Sequence, residues 1–140
     1  MSDRVFLDTN VLVYLFDRDA PTKQKKAREI LESQGGTGTI VISTQVLEEF
    51  YVNVTRKLGK PLSEQEAEGA VRDFALLDVV EIDLPMVLRA IAGARTHRLS
   101  LWDALIVESA QARACRRLLT EDLQHGRHFG ALRIENPFRL

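Results

Sequence analysis

The chain has 140 residues, 45% hydrophobic and 28% charged, which is typical of one folded domain with its own core. Its single cysteine, Cys115, excludes an internal disulfide, and three histidines and one cysteine do not indicate a zinc site. No apolar run reaches the roughly 18–20 residues of a membrane span, and no basic segment followed by an apolar stretch opens the chain. We therefore expect a cytoplasmic protein without membrane contact.

Short apolar runs alternate with helical patterns along the chain. The strand-like runs are 5–7, 39–42, 79–82, 118–119 and 132–134, and the helical patterns cover about 10–16, 21–33, 43–58, 64–77, 85–97 and 100–114. The segments QGGTG (34–38) and GKPLS (59–63) predict turns. Strands that alternate with helices favour a parallel sheet covered on both faces. We expect residues 1–140 to form a single α/β domain, a three-layer α/β/α sandwich around a mainly parallel sheet of four or five strands.

Acidic side chains lie at four of the predicted strand–helix junctions. They are Asp8, the pair Glu48 and Glu49, Asp103, and the pair Glu121 and Asp122. Open parallel sheets place their sites at the carboxyl ends of the strands, so these acids are predicted to share one pocket. Crowded carboxylates repel one another, and a divalent cation removes that penalty. Oxygen ligands without histidine or cysteine favour Mg²⁺ or Mn²⁺, which would in turn bind a substrate that carries phosphate.

Each acid also has a purely structural interpretation. Asp8 is suited to cap the following helix, and Ser100 with Asp103 forms a capping-box pattern. We prefer the pocket because the alternative requires four separate caps to converge on one end of the sheet. Two polar residues near the acids, Asn10 and Thr120, are candidates to hydrogen-bond a ligating carboxylate or a metal-bound water.

The net charge of −1 does not exclude a nucleic-acid partner. Neutralising four of the twenty acids with metal would leave sixteen acids against nineteen bases. Arginine suits phosphate because its planar fork donates two parallel hydrogen bonds. The candidate RNA-binding residues are Arg113, Arg116, Arg117 and Arg127. The alternative is that the adjacent Arg116 and Arg117 only form an exposed start of the fourth strand.

Four segments taken together resemble a known family. FLDTNVLVYLFD (6–17), VISTQVLEEF (41–50), LSLWDALIVESA (99–110) and LLTED (118–122) are similar, in order and spacing, to PIN-domain proteins, specifically the VapC-type toxins of bacterial toxin–antitoxin pairs. The resemblance implies an endoribonuclease that depends on Mg²⁺ or Mn²⁺, works as a homodimer and binds a small antitoxin protein. It further implies that metal-activated water attacks an RNA phosphodiester and leaves a 5′-phosphate and a 3′-hydroxyl.

The family's acids can be carried onto this sequence. The first, third and fourth fall on Asp8, Asp103 and Asp122, and counting from Ser43 selects Glu49 as the second. Helical geometry alone leaves the choice between Glu49 and its neighbour at position 48 open. The resemblance also suggests that an antitoxin fills a groove between the helices near 11–16 and 44–58, where its arginine or lysine would compete with metal.

Three other interpretations stay open at this point. A phosphatase of the haloacid-dehalogenase type carries a second Asp where this chain has Asn10, and both it and a phosphorylation receiver need a lysine late in the chain. The last lysine here is Lys60, which weighs against both. The remaining alternative is a binding module whose acidic pocket is not catalytic.

Overall fold

The computed structural model of the protein describes residues 3–35 and 39–139. The strands are β1 (Val5–Leu7), β2 (Ile40–Ser43), β3 (Asp78–Val80), β4 (Arg117–Leu119), β5 (His128–Phe129) and β6 (Leu132–Glu135). The helices are α1 (Thr9–Tyr14), α2 (Pro21–Gly35), α3 (Thr44–Arg56), α4 (Glu64–Phe74), α5 (Leu84–His97) and α6 (Leu101–Ala112). None of these helices is long and apolar enough to cross a membrane.

The strands form one sheet in the order β3-β2-β1-β4-β6-β5. Every neighbouring pair is parallel except β5 with β6, which are antiparallel. The prediction of a mainly parallel three-layer α/β/α architecture is confirmed, but the described residues hold six strands instead of four or five. The additional strand, β5, has two residues and turns back at Gly130, whose φ of +62° suits glycine. A run this short gives no periodic signal in the sequence.

The core lies on both faces of the two central strands. Val5, Phe6 and Leu7 of β1 are fully buried, as expected for a parallel strand covered by helices on both sides. On one side, Phe50 of α3 makes edge-on ring contacts with Phe16 and Phe74. This packing joins α3 to α4 and to the segment that follows α1.

Hydrogen-bonded caps set where the helices begin. The side chains of Ser43, Asp83 and Ser100 each accept a backbone N–H of the helix that follows, and Ser63 forms a capping box with Glu66. The predicted helix starts follow from these residues. The predicted turn at 34–38 is only partly testable, because position 35 ends α2 and 36–38 lie outside the described residues.

Candidate active site

A cleft of about 650 Å³ opens at the carboxyl ends of the central strands. Its walls include Asp8, Glu49, Asp103 and Asp122. They come from the end of β1, from α3, from the first turn of α6 and from the loop after β4. The structure thus brings the four sequence-predicted acids to one cleft, although they are up to 114 positions apart in the chain.

Asp8 is the most deeply buried of the four acids, with 4% of its surface exposed. One carboxylate oxygen accepts the backbone N–H of Thr9 at 2.7 Å, so Asp8 does cap α1. The other oxygen accepts the hydroxyl of Thr120 at 2.7 Å. Capping and membership of the cleft are therefore compatible, because a helix that starts at the end of β1 directs its cap towards the cleft.

The electrostatics of the cleft favour a cation. The pKa of Asp8 is raised to about 7, chiefly because the carboxyl group is buried. The hydrogen bonds from Thr120 and Thr9 lower this pKa, and the charges of Asp122 and Glu49 raise it. Burial likewise raises the pKa of Asp103. A hydrogen bond with Ser100 lowers this pKa, and the charges of Asp122 and Glu49 raise it. Like charges close enough to perturb each other resist ionising together, and a bound cation relieves that conflict.

The two adjacent glutamates of α3 have different surroundings. Glu49 is half-buried, and one of its oxygens accepts the hydroxyl of Thr9 at 2.7 Å. Glu48 is exposed, at the rim of the same cleft. The contacts therefore favour Glu49 as the glutamate that works with Asp8, while its catalytic role stays a prediction.

Gln45 is a residue of the cleft that the sequence analysis missed. Its side chain is 5% exposed, and its amide nitrogen donates to Glu49 Oε2 at 3.3 Å and to the carbonyl oxygen of Trp102 at 3.2 Å. A polar residue one turn before Glu49, on a helix with an otherwise apolar buried side, was the available signal. Gln45 links α3 to the start of α6, and so fixes Glu49 relative to Asp103.

The two acids after β4 also differ. Asp122 is exposed to the cleft, accepts the side-chain amide of Asn10 at 3.2 Å, and donates its backbone N–H to Thr120. Glu121 instead accepts Lys23 Nζ at 2.6 Å and the hydroxyl of Tyr14 at 2.5 Å. Burial acts to raise the pKa of Glu121, but these two bonds outweigh it and leave that pKa below its usual value. Glu121 is therefore a paired structural acid.

The donor atoms of the cleft fit Mg²⁺ or Mn²⁺ in kind. Two buried amide oxygens, Asn10 Oδ1 and Gln45 Oε1, have no hydrogen-bond partner among the residues that the structure describes, and both residues line the cleft. Oxygen atoms that lack a donor are suited to a hard cation or its bound waters. As placed, no three Asp, Glu, His or Cys side chains within 3–35 and 39–139 are arranged to hold a metal ion. Binding an ion would thus require the acidic side chains of the cleft to move closer together.

The four candidate arginines do not line the cleft. Arg113 pairs with Asp78 at 3.2 Å, near the amino ends of the strands. The others bond elsewhere: Arg116 to Asp3, Arg117 to Glu135, and Arg127 to the carbonyl of His97. Contact between these arginines and RNA stays a prediction that the cleft geometry does not require.

Comparison with known families agrees with this architecture. The family model of the PIN domain matches residues 5–128. The chain belongs to the PIN domain family. No curated protein matches the sequence.

Solved structures share the fold of this PIN domain at low sequence identity. It is similar to a chain of a toxin–antitoxin complex from Klebsiella pneumoniae, with a TM-score of 0.69 and 22% identity, over 97% of this chain and 99% of that one. VapC20 of Mycobacterium tuberculosis, a toxin that cleaves the sarcin–ricin loop, matches with a TM-score of 0.66 and 17% identity, over 81% and 86% of the two chains. VapBC2 from Rickettsia felis, bound to a fragment of promoter DNA, matches with a TM-score of 0.65 and 20% identity, over 94% of this chain and 97% of that one.

Proposed function

We propose that this PIN domain is a metal-dependent endoribonuclease and the toxin of a toxin–antitoxin pair. The observation that carries the proposal is the convergence of Asp8, Glu49, Asp103 and Asp122 on one cleft. Within the described part of the chain, none of the four has a basic partner within 4 Å. Maintaining uncompensated acids together costs stability, which is expected of a site that binds cations. The similarity to VapC toxins supports RNA as the substrate.

The four acids would hold Mg²⁺ or Mn²⁺. A bound ion of this kind lowers the pKa of a water molecule and stabilises charge on a phosphate during in-line displacement. Thr9 and Thr120 orient the carboxylate of Asp8 through its two oxygens. Asn10 holds Asp122. Such hydrogen bonds limit the motion of the carboxylates and tune their basicity.

We also propose that a small antitoxin protein covers the cleft. The groove suggested between α1 and α3 stays a prediction, but Phe50 of α3 is fully buried and does not face a partner there. A better surface is the apolar groove of about 390 Å³ between α3 and α4, which includes Leu47, Tyr51 and Val52. Val52 also lines the acidic cleft, so a peptide in this groove would reach the acids with a basic side chain. Val52→Asp should weaken antitoxin binding without unfolding the protein, because Val52 is 44% exposed.

The homodimer is a separate part of the proposal. An exposed apolar row on α5 is formed by Leu84, Leu88 and Ile91, and such rows commonly mark protein interfaces. Light scattering of the purified protein at several concentrations would measure the oligomeric state, and a monomer throughout would contradict this part alone.

The proposed activity is tested with purified protein, free of antitoxin, and total cellular RNA in Mg²⁺ or Mn²⁺. Defined fragments should form with the native chain, and should disappear with excess chelator and in the variants Asp8→Asn and Asp103→Asn. Equal cutting by both variants would show a contaminating nuclease and would reject the acidic-site mechanism. If calorimetry shows metal binding that both variants lose while no RNA is cut, the metal site is real, and the substrate is an RNA missing from the sample or a different phosphate ester.

A further inference from the structure

The only tryptophan of the chain lies in the wall of the acidic cleft. Trp102 directly precedes Asp103 at the start of α6, and 61% of its surface is exposed. An indole that remains in water forgoes the free energy that its burial would give. Its position is therefore unexplained by packing of the core.

The backbone of Trp102 is held in place while its ring is left free. The buried amide of Gln45 donates to the carbonyl oxygen of Trp102 at 3.2 Å and to Glu49 at 3.3 Å. The first turn of α6 is further fixed by the bond between the Asp103 N–H and Ser100 Oγ at 3.1 Å. The indole is thus an exposed apolar surface on a fixed backbone, in the wall of the cleft that also holds Glu49 and Asp103.

We propose that Trp102 is a substrate-binding residue that stacks on an unpaired nucleobase of RNA next to the phosphate being cut. This inference rests on the proposed ribonuclease function and narrows its substrate class. The acidic walls of the cleft repel phosphate wherever a metal does not neutralise them, whereas the face of a base carries no charge that the carboxylates would repel. Base–aromatic stacking supplies affinity without regard to sequence.

The substrate that fits is a single strand or a loop. Bases inside an A-form duplex are stacked on one another and are not free to contact an indole. A protein partner is the competing occupant of Trp102. The nucleobase is favoured because Trp102 shares its cleft with Asp8, Glu49 and Asp103, the acids proposed to bind the metal that holds the reacting phosphate, and because the exposed row on α5 does not line the cleft.

Steady-state kinetics on a short single-stranded oligoribonucleotide test the proposal. Trp102→Ala should raise KM about tenfold, in line with the loss of one stacked base, with kcat nearly unchanged because stacking is equal in the ground and transition states. Trp102→Phe should recover part of the loss. Folding is not at risk, since the ring is exposed and the Gln45 bond is made by the backbone. Leu76→Ala, at a residue that is 88% exposed and does not line the cleft, is the matched control and should match the native chain.

An abasic substrate distinguishes stacking from other effects. Removing the base next to the cleavage site should raise KM for the native chain and should leave the Trp102→Ala variant unaffected. With the native chain in excess chelator, which prevents cutting, the same oligonucleotide should quench the emission of the single tryptophan, and the abasic one should not.

Three results would overturn the inference. Native KM for Trp102→Ala while RNA is still cut would reject Trp102 and leave the ribonuclease proposal intact. If Trp102→Ala raises KM by the same factor with intact and with abasic RNA, stacking is also rejected. Tryptophan quenching by a purified antitoxin or by self-association, with none by RNA, would assign the ring to a protein contact. If the native chain neither binds nor cuts RNA, both proposals fail together.

Discussion

The two ends of the parallel strands carry charged side chains in opposite arrangements. At the amino ends, Asp78 pairs with Arg113 at 3.2 Å and with Arg4 at 3.7 Å, and Arg116 lies 3.7 Å from Asp3. At the carboxyl ends, four acids share a cleft and none has an ion-pair partner among the residues that the structure describes. Paired surface charges contribute little and cost little. Uncompensated acids are a cost that folding alone does not explain, so we assign the proposed site to the carboxyl ends.

Replacing the two adjacent glutamates of α3 should produce the largest difference within the cleft. Glu49→Gln removes a carboxylate that contacts Thr9 and Gln45, and should lower kcat/KM for RNA roughly a hundredfold or more, as expected for a group that serves the metal. Glu48→Gln is the matched control, because its side chain is exposed at the rim, and should change kcat/KM by less than about threefold. A larger loss at Glu48 would assign the site to that glutamate, and equal losses would contradict the predicted difference between the two.

Asparagine in place of aspartate should have opposite effects on stability at the two ends of the sheet. In metal-free protein at pH 8, Asp8→Asn removes a buried charge whose pKa is raised to about 7, and should increase the free energy of unfolding by up to about 4 kcal/mol. Asp78→Asn removes a charge that faces two arginines, and should decrease the free energy of unfolding by about 0.5–1 kcal/mol.

The dependence on pH follows from linkage. Between pH 3.8 and about 7, native Asp8 retains a proton that the unfolded chain has lost, so the stability from this group is fully present below pH 3.8 and is lost as pH rises through 7. Asp8→Asn should remove that decline, and saturating Mg²⁺ or Mn²⁺ should stabilise the native chain above pH 7 more than the variant. Urea unfolding from pH 4 to 9 measures both, and parallel profiles for the two proteins would contradict the prediction.

Glu121 should behave like the amino-end acids although it lies at the carboxyl end. Lys23→Met leaves its half-buried carboxylate without its cation, and should reduce stability by about 1–2 kcal/mol. The double variant Lys23→Met with Glu121→Gln should recover part of that loss, because no unpaired charge remains. A double-mutant cycle by chemical denaturation measures the coupling, and a coupling near zero would show that the pair contributes nothing.

The sequence determined the architecture because its signals are local. Alternating apolar runs predict the parallel sheet, and cap residues such as Ser43 and Ser100 predict where helices begin. The acids were found for the same reason, since Asp8 and Asp103 sit at fixed positions relative to a strand end or a helix start. Their shared cleft follows from the rule that places sites at the carboxyl ends of parallel strands.

What the sequence did not predict depends on contacts between distant segments. The role of Gln45 requires knowing that α3 faces the start of α6, 57 residues later. The difference between Glu121 and Asp122 depends on Lys23 and Tyr14, which approach from α2 and α1. Strand β5 has two residues, so it has no periodicity to detect. The charge pattern of the sequence also did not predict the partners of the arginines, because these partners are set by the folded structure.

Arg116 gives the smallest expected effect and the sharpest test of the remaining sequence-based hypothesis. Its side chain is 64% exposed and lies 3.7 Å from Asp3, so Arg116→Ala should alter stability by less than about 0.5 kcal/mol. If its guanidinium contacts an RNA phosphate, the variant should bind RNA more weakly, and the slope of log affinity against log salt should fall by about 0.7 for a single strand. We expect no change in that slope, since the side chain lies by the amino ends of the strands, away from the cleft. A reduced slope would show that bound RNA reaches from the cleft to the amino ends of the strands. It would also show that a paired charge there exchanges its protein partner for phosphate.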